Sequence, residues 1–278
     1  MSEVQFPAPP PEPHATVDVS LTIEKLEAFV ERLKSIPPAP RHLRDGQVEV
    51  TPGGQTFSTI AEALKSITDA SQKKEYTIYV GPGVFEESVV CKPWVFIEGS
   101  GPDVTTIRAL HGVTGASNSS IGSVTIDAGP TAIGCVGAVN FAVANCSILS
   151  SDSFAPQPNN YLGVSIDFSA AAPTPSSVSI SYSKIQATVK DTLSITVGVV
   201  AASKSVVLLN YCSKITAQHG STNMGCAAGT AAEIRLYDCS ISTPVWALRL
   251  LDDTAKITAT SCTIDGRVSP GVVINKIS

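Results

Sequence analysis

Charge is what this chain has least of. Of its 278 residues only 15 % are charged, against about 25 % in an average soluble protein. Its surface must therefore be covered largely by Ser, Thr, Ala, Asn and Gly. The formal net charge is -5 and no basic block occurs, which argues against a nucleic-acid partner. No apolar run approaches the roughly 20 residues of a membrane span. The first residues, MSEVQFPAPPPEPH, carry Glu3 and have neither a basic nor an apolar stretch, so no secretory signal peptide is expected. The seven cysteines, Cys91, Cys135, Cys146, Cys212, Cys226, Cys239 and Cys262, include no CxxC pair and no zinc spacing. Small buried thiols in a reduced protein, with no metal and no cofactor, are the expectation.

What is present falls into three parts. Residues 1–19 form a proline-rich arm, in which Pro7, Pro9, Pro10, Pro11 and Pro13 favour an extended polyproline II conformation. Residues 20–46 hold a helix and a linker. Ser20 or Thr22 caps the helix, and Pro37 and Pro38 stop it. Its apolar residues Ile23, Leu26, Phe29, Val30 and Leu33 make one stripe, which packs either on the chain's own body or on another subunit. Residues 47–278 form the body. There Thr59, with Glu62 three residues later, is a capping-box pattern. It opens a short helix over 60–67 whose apolar face is Ile60, Ala63, Leu64 and Ile67, suited to cap an exposed end of a core.

From about residue 120 the chain repeats itself. Four segments share the template apolar-x-apolar-x-x-small-x-apolar: Phe141/Val143/Cys146/Ile148, Val178/Ile180/Ser183/Ile185, Ile234/Leu236/Cys239/Ile241 and Ile257/Ala259/Cys262/Ile264. A fifth, Val207/Leu209/Cys212/Ile215, carries one extra residue, read as a bulge. Secondary alternating runs lie between them, such as Leu162/Val164/Ile166 and Ile195/Val197/Val199. Alternation of period two marks half-buried strands. Two or more strands per repeat, with no helix between, fit the coils of an all-β parallel solenoid. The small positions then stack as one interior column.

Residues 48–107 carry a family resemblance. After a Gly-rich turn come F-x-T-I-x-E-A-L (Phe57, Thr59, Ile60, Glu62, Ala63, Leu64), I-Y-V-x-x-G-V-F-x-E (Ile78 to Glu87) and I-x-G-x-G-P-x-x-T-x-I (Ile97 to Ile107). This resembles the opening of pectinesterases and of the wider pectin lyase-like group. It implies a single-stranded right-handed parallel β-helix with an N-terminal capping helix. It also implies chemistry with two aspartates and an arginine lining a groove, one carboxyl as nucleophile and one as general acid/base, with glutamine amides stabilising the oxyanion.

The family's catalytic boxes are not legible. Lys190-Asp191-Thr192-Leu193-Ser194 stands where the first would lie, without its glutamine and tyrosine, leaving Asp191 as a weak catalytic candidate. Asp167-Phe168 comes in the wrong order, and Thr243-Pro244-Val245-Trp246 lacks the arginine. Asp252-Asp253 reads as a solvated turn rather than a calcium site. The carboxylates Asp127, Asp152, Asp167, Asp191 and Asp238 form no set that sequence alone can assemble. His111 and His219 have no matching Ser or Cys partner in sequence.

Two functions follow as expectations. One is a non-enzymatic assembly protein, a virion fibre, spike or decoration protein anchored through Phe6, Pro9, Pro10, Ile23, Leu26, Phe29, Val30 and Leu33. It would meet protein partners through residues 1–40, form a homotrimer, and reside in a particle or otherwise in the cytoplasm. The other is a carbohydrate-active esterase or lyase on acidic polysaccharide, with glycan contact on the β-helix. Two carboxylates within about 6 Å with an arginine between them, on a folded face, would favour the enzyme.

Overall fold

The structure is a computed structural model that describes residues 45–276 apart from 55, 153–159, 168–173 and 191–192. The proline-rich arm, the stripe from Ile23 to Leu33 and Asp191 lie outside the described residues. The chain divides into two units, Met1–His42 and Leu43–Ser278, and the second contains the β-helix.

The body is a single-stranded parallel β-helix. One sheet has ten strands in sequence order, from Gln47–Val50 to Val273–Asn275, each hydrogen-bonded to its counterpart one coil away. The other sheet has twelve strands and folds into two further faces. Its strands Ser147–Ser151, Lys184–Thr188 and Lys214–Gln218 make the second face. Asn160–Ile166, Ile195–Ala201 and Thr222–Ala228 make the third. The long strands Thr105–Thr114, Thr125–Cys135 and Ser240–Leu250 bend across both.

The repeat becomes a set of ladders. On the first face Ile78, Ile97, Ile121, Val143, Ile180, Leu209, Leu236 and Ala259 stand in register, all buried. On the second, Ile107, Ile126, Ile148, Ile185, Ile215 and Ile241 do the same, and Ile264 ends the ladder half-buried. Each rung lies about 4.8 Å from the next, so equal side chains meet equal side chains and leave few voids. The extra residue of the fifth segment does not bulge a strand. It sits in the corner between Cys212 and the strand beginning at Lys214, because Lys184 and Lys214 pair directly.

The helix α1, Ile60–Ser66, buries Ile60, Ala63 and Leu64. The amide of Glu62 donates to Thr59 Oγ1 as the capping pattern predicts. The reciprocal bond differs: the Glu62 carboxylate accepts from the Ser58 amide and hydroxyl, one residue further out. Those bonds, with the Ser58 hydroxyl foremost, hold the Glu62 carboxyl below its ordinary range. Two more free amides of the first turn go to a distant residue. Ile60 N and Ala61 N donate to the two oxygens of Glu87 at 2.7 and 2.8 Å, and Lys92 Nζ donates to the Leu64 and Ile67 carbonyls at the other end. The last glutamate of the I-Y-V-x-x-G-V-F-x-E segment is therefore a helix cap. Replacing Glu87 by Ala removes two charge-assisted bonds at a helix N-terminus, and a loss of about 1–2 kcal/mol is expected, read as a lower urea midpoint at unchanged slope.

Candidate functional site

Most of the acids serve the turns. Asp167 is buried, and its carboxylate accepts from Gly137 N, Ser176 N and Ser176 Oγ at 2.7–2.9 Å, tying three strand ends together. Asp152 accepts from Lys190 N. Asp252 accepts from Thr230 N, Thr254 and Ala255 N, so the Asp252-Asp253 pair is a turn, as its sequence suggests. Asp238 occupies a corner in the left-handed region. Among the described residues no group of three or more His, Cys, Asp or Glu is placed to hold a metal ion.

One arrangement differs. Residue 86 follows the strand Gly83–Phe85, whose register sets it opposite Arg108, and Arg108 in turn pairs with Asp127. All three side chains alternate with the buried Phe85, Ile107 and Ile126, so they point outward on the second face. Arg108 Nε lies 3.2 Å from Asp127 Oδ2, and its Nη1 lies 3.5 Å from Glu86 Oε1. One guanidinium thus holds two carboxylates on three successive coils. The Asp127 side chain is 23 % exposed and that of Glu86 is 64 % exposed. The inner acid is fixed by its partner, while the outer one faces water.

The same outward row continues through Leu149, Gln186, Thr216, Ser242 and Asp265. At its far end a cleft of about 660 Å³ is lined by Gln218, His219, Asn223, Ser242, Thr243 and Asp265, among others. Ser242 Oγ donates to Asp265 Oδ2 at 3.1 Å. The Asn223 side chain is already engaged with Thr196 and Gly220. His219, for which the sequence offers no serine partner, therefore shares a cleft with Ser242. The fold brings them together because each coil returns to the same corner.

Among the described residues the third face carries no carboxylate in its outward row. Leu162, Val197, Met224 and Trp246 stand in register there as a second apolar cluster apart from the main core. The guanidinium of Arg249 lies 5.6 Å from the centre of the Trp246 ring.

All seven cysteines are free, and six are buried. Burial pushes the Cys91 and Cys146 thiols up to about 12 and that of Cys226 well above its ordinary value. Only the thiolate is reactive. The Cys262 thiol, half-buried, is also pushed up, first by its hydrogen bond with Cys239 and then by burial, so a neutral aromatic disulfide reagent is expected to label Cys262 only slowly in the native protein and the other six only after unfolding; rapid labelling of several thiols would contradict this packing.

No family model and no curated protein matches the chain. Solved structures do. A pectin methylesterase from carrot aligns over 88 % of this chain and 90 % of its own length, with a TM-score of 0.51 at 16 % identity. A rice weevil pectin methylesterase aligns over 87 % and 83 %, with a TM-score of 0.50 at 12 % identity. The body thus has the right-handed parallel β-helix fold of these structures, the fold that residues 48–107 imply. The comparison overturns the expectation of a non-enzymatic virion component: the folds that match are those of esterases, and nothing supports a fibre, a trimer or an anchor. That expectation rested on the proline-rich arm and its helix, the low charge and the lack of a signal-peptide pattern, together with the missing sequence boxes. A β-helix can assemble a site across coils without any box, since neighbours in space lie a whole coil apart in sequence.

Proposed function

We propose that this chain is a carbohydrate esterase that hydrolyses carboxyl esters on an acidic polysaccharide. The observation that carries the reading is Arg108 between Glu86 and Asp127 on an outward face of the helix. Two carboxylates and an arginine are the groups that ester hydrolysis through a carboxylate nucleophile requires.

Asp127 suits the nucleophile. It is the more enclosed acid, and Arg108 Nε fixes its direction. Its oxygen attacks the ester carbonyl carbon, the carbonyl electrons move onto oxygen, and Arg108 stabilises that oxyanion. Glu86 passes a proton from a water molecule to the departing alcohol as the C–O bond breaks, and the hydroxide so formed attacks the acyl carbon of the mixed anhydride. This releases the substrate acid and restores Asp127. The more exposed position of Glu86 gives it access to that water.

The test is acid release from methyl-esterified polygalacturonate at constant pH, with methanol assayed alongside. Equimolar acid and methanol above the spontaneous rate are expected. Release no faster than in buffer would overturn the reading.

A further inference from the structure

The two ends of the β-helix are finished differently. At the first coil α1 lies over the core and buries Ile60, Ala63 and Leu64. The last coil has no such cover among the described residues. Its strands Thr263–Val268 and Val273–Asn275 each have a neighbouring strand on one side only. Ile264, Val268 and Val272 are half-buried against the core. Ile274 continues the inward column after Leu236 and Ala259, yet it is 43 % exposed.

The backbone of this coil is open as well. Thr263 N donates to Cys239 O and Ser269 N to Leu248 O, toward the preceding coil. By alternation, the N–H and C=O groups of Ile264 and Val268 turn to the free edge. Ser261 N donates to Asn275 O, so those of Ile274 turn the same way on the first face. An edge of this kind is a template for another strand.

Side chains decide which strand fits. Asp265 and Arg267 flank Gly266, stand outward beside Ser242 and Trp246, and are exposed. Neither forms an ion pair among the described residues. With a second copy laid antiparallel and Gly266 opposite Gly266, Ile264 meets the partner's Val268 in a hydrogen-bonded pair, both turned inward. Asp265 then meets the partner's Arg267 in the closer, non-hydrogen-bonded pair. Centring on Asp265 or on Arg267 instead sets like charges against each other. Gly266, at φ +127°, also marks the corner between the second and third faces, because Ser242 pairs with Asp265 and Trp246 with Arg267. A two-fold axis through one corner of a three-sided coil leaves through the middle of the opposite face. Ile274 stands on that face, where its open backbone groups meet those of the partner's Ile274.

We propose that the chain dimerises through this end, two copies stacking their last coils about a two-fold axis at Gly266. The partner is a second copy because the edge complements itself in charge, in hydrogen bonding and in apolar face. The assembly closes at two, since both open coils are used and α1 covers each outer end. Glu86, Arg108 and Asp127 lie in the opening coils, and the test needs no turnover.

The test is sedimentation velocity of the full chain from micromolar to near-millimolar concentration. A monomer–dimer equilibrium is expected, weakened by salt. Asp265→Arg alone and Arg267→Asp alone each oppose like charges and are expected to dimerise at least about tenfold more weakly. Their melting temperatures should stay near that of the parent, because both side chains are exposed. Mixed in equal amounts, the two variants regain opposite charges at both pairs, so dimerisation is expected to return to near that of the parent. A chain that stays monomeric, single variants that dimerise like the parent, a mixture that stays monomeric, or growth beyond a dimer each overturns the proposal.

Discussion

Replacing Gly198 by Val is expected to destabilise the β-helix more than any surface change considered above. On the third face Gly163, Gly198 and Gly225 occupy one interior column opposite Ile185, Ile215 and Ile241. A Cβ on Gly198 would come within 2.6 Å of the Gly225 carbonyl oxygen and 2.8 Å of Ile215 Cγ2. The first neighbour is backbone, which no rotamer change can move aside, so the coils themselves must separate. The same holds on either side: a Cβ on Gly225 would meet Ile241 Cγ2 at 2.5 Å and the Ala247 oxygen at 2.7 Å. Overpacking of this kind costs about 3 kcal/mol for Ala, and more for Val. At roughly 2–4 °C per kcal/mol for a body of this size, the Ala variant should melt about 6–12 °C lower. Gly134→Ala is the control, since its nearest neighbour is Thr131 Cγ2 at 3.8 Å, and it should melt within a degree or two of the parent. Equal melting of Gly198→Ala and Gly134→Ala by calorimetry would refute the column's role.

The second large effect concerns the proposed chemistry. Asp127→Asn keeps the shape of the side chain and removes its nucleophilic oxygen. The hydrolysis rate is expected to fall at least about a thousandfold. Arg108→Lys keeps the charge but loses the planar fork that reaches both acids, and kcat is expected to fall about a hundredfold with a smaller change in KM. Stability should hardly move in either variant, because exposed ion pairs contribute little. An unchanged kcat in Asp127→Asn would remove Asp127 from the mechanism.

The sequence reads well wherever one coil copies the next. The templates ending at Ile148, Ile185, Ile241 and Ile264 become a single ladder because period-two alternation and stacking impose the same demand on every coil. The helix at residue 60 is legible from Thr59, a local cap. Glu87 is not, since it lies a coil away and reaches back across the fold. The same distance hides the acid–arginine group. Glu86, Arg108 and Asp127 lie in the opening coils, before the recognisable template begins, and only the register of Gly83–Phe85 with Thr105–Thr114 aligns them. His219 with Ser242 is hidden likewise.

The most direct test of the central claim compares three proteins in one assay: the parent, Asp127→Asn, and Ser242→Ala in the distal cleft. Initial rates of acid release from methyl-esterified polygalacturonate are recorded at constant pH and equal enzyme concentration. The outward acid–arginine group predicts equal rates for the parent and Ser242→Ala, and a background rate for Asp127→Asn. A parent-like rate in Asp127→Asn with loss in Ser242→Ala would place the chemistry in the cleft instead, and background rates in all three would contradict esterase activity altogether.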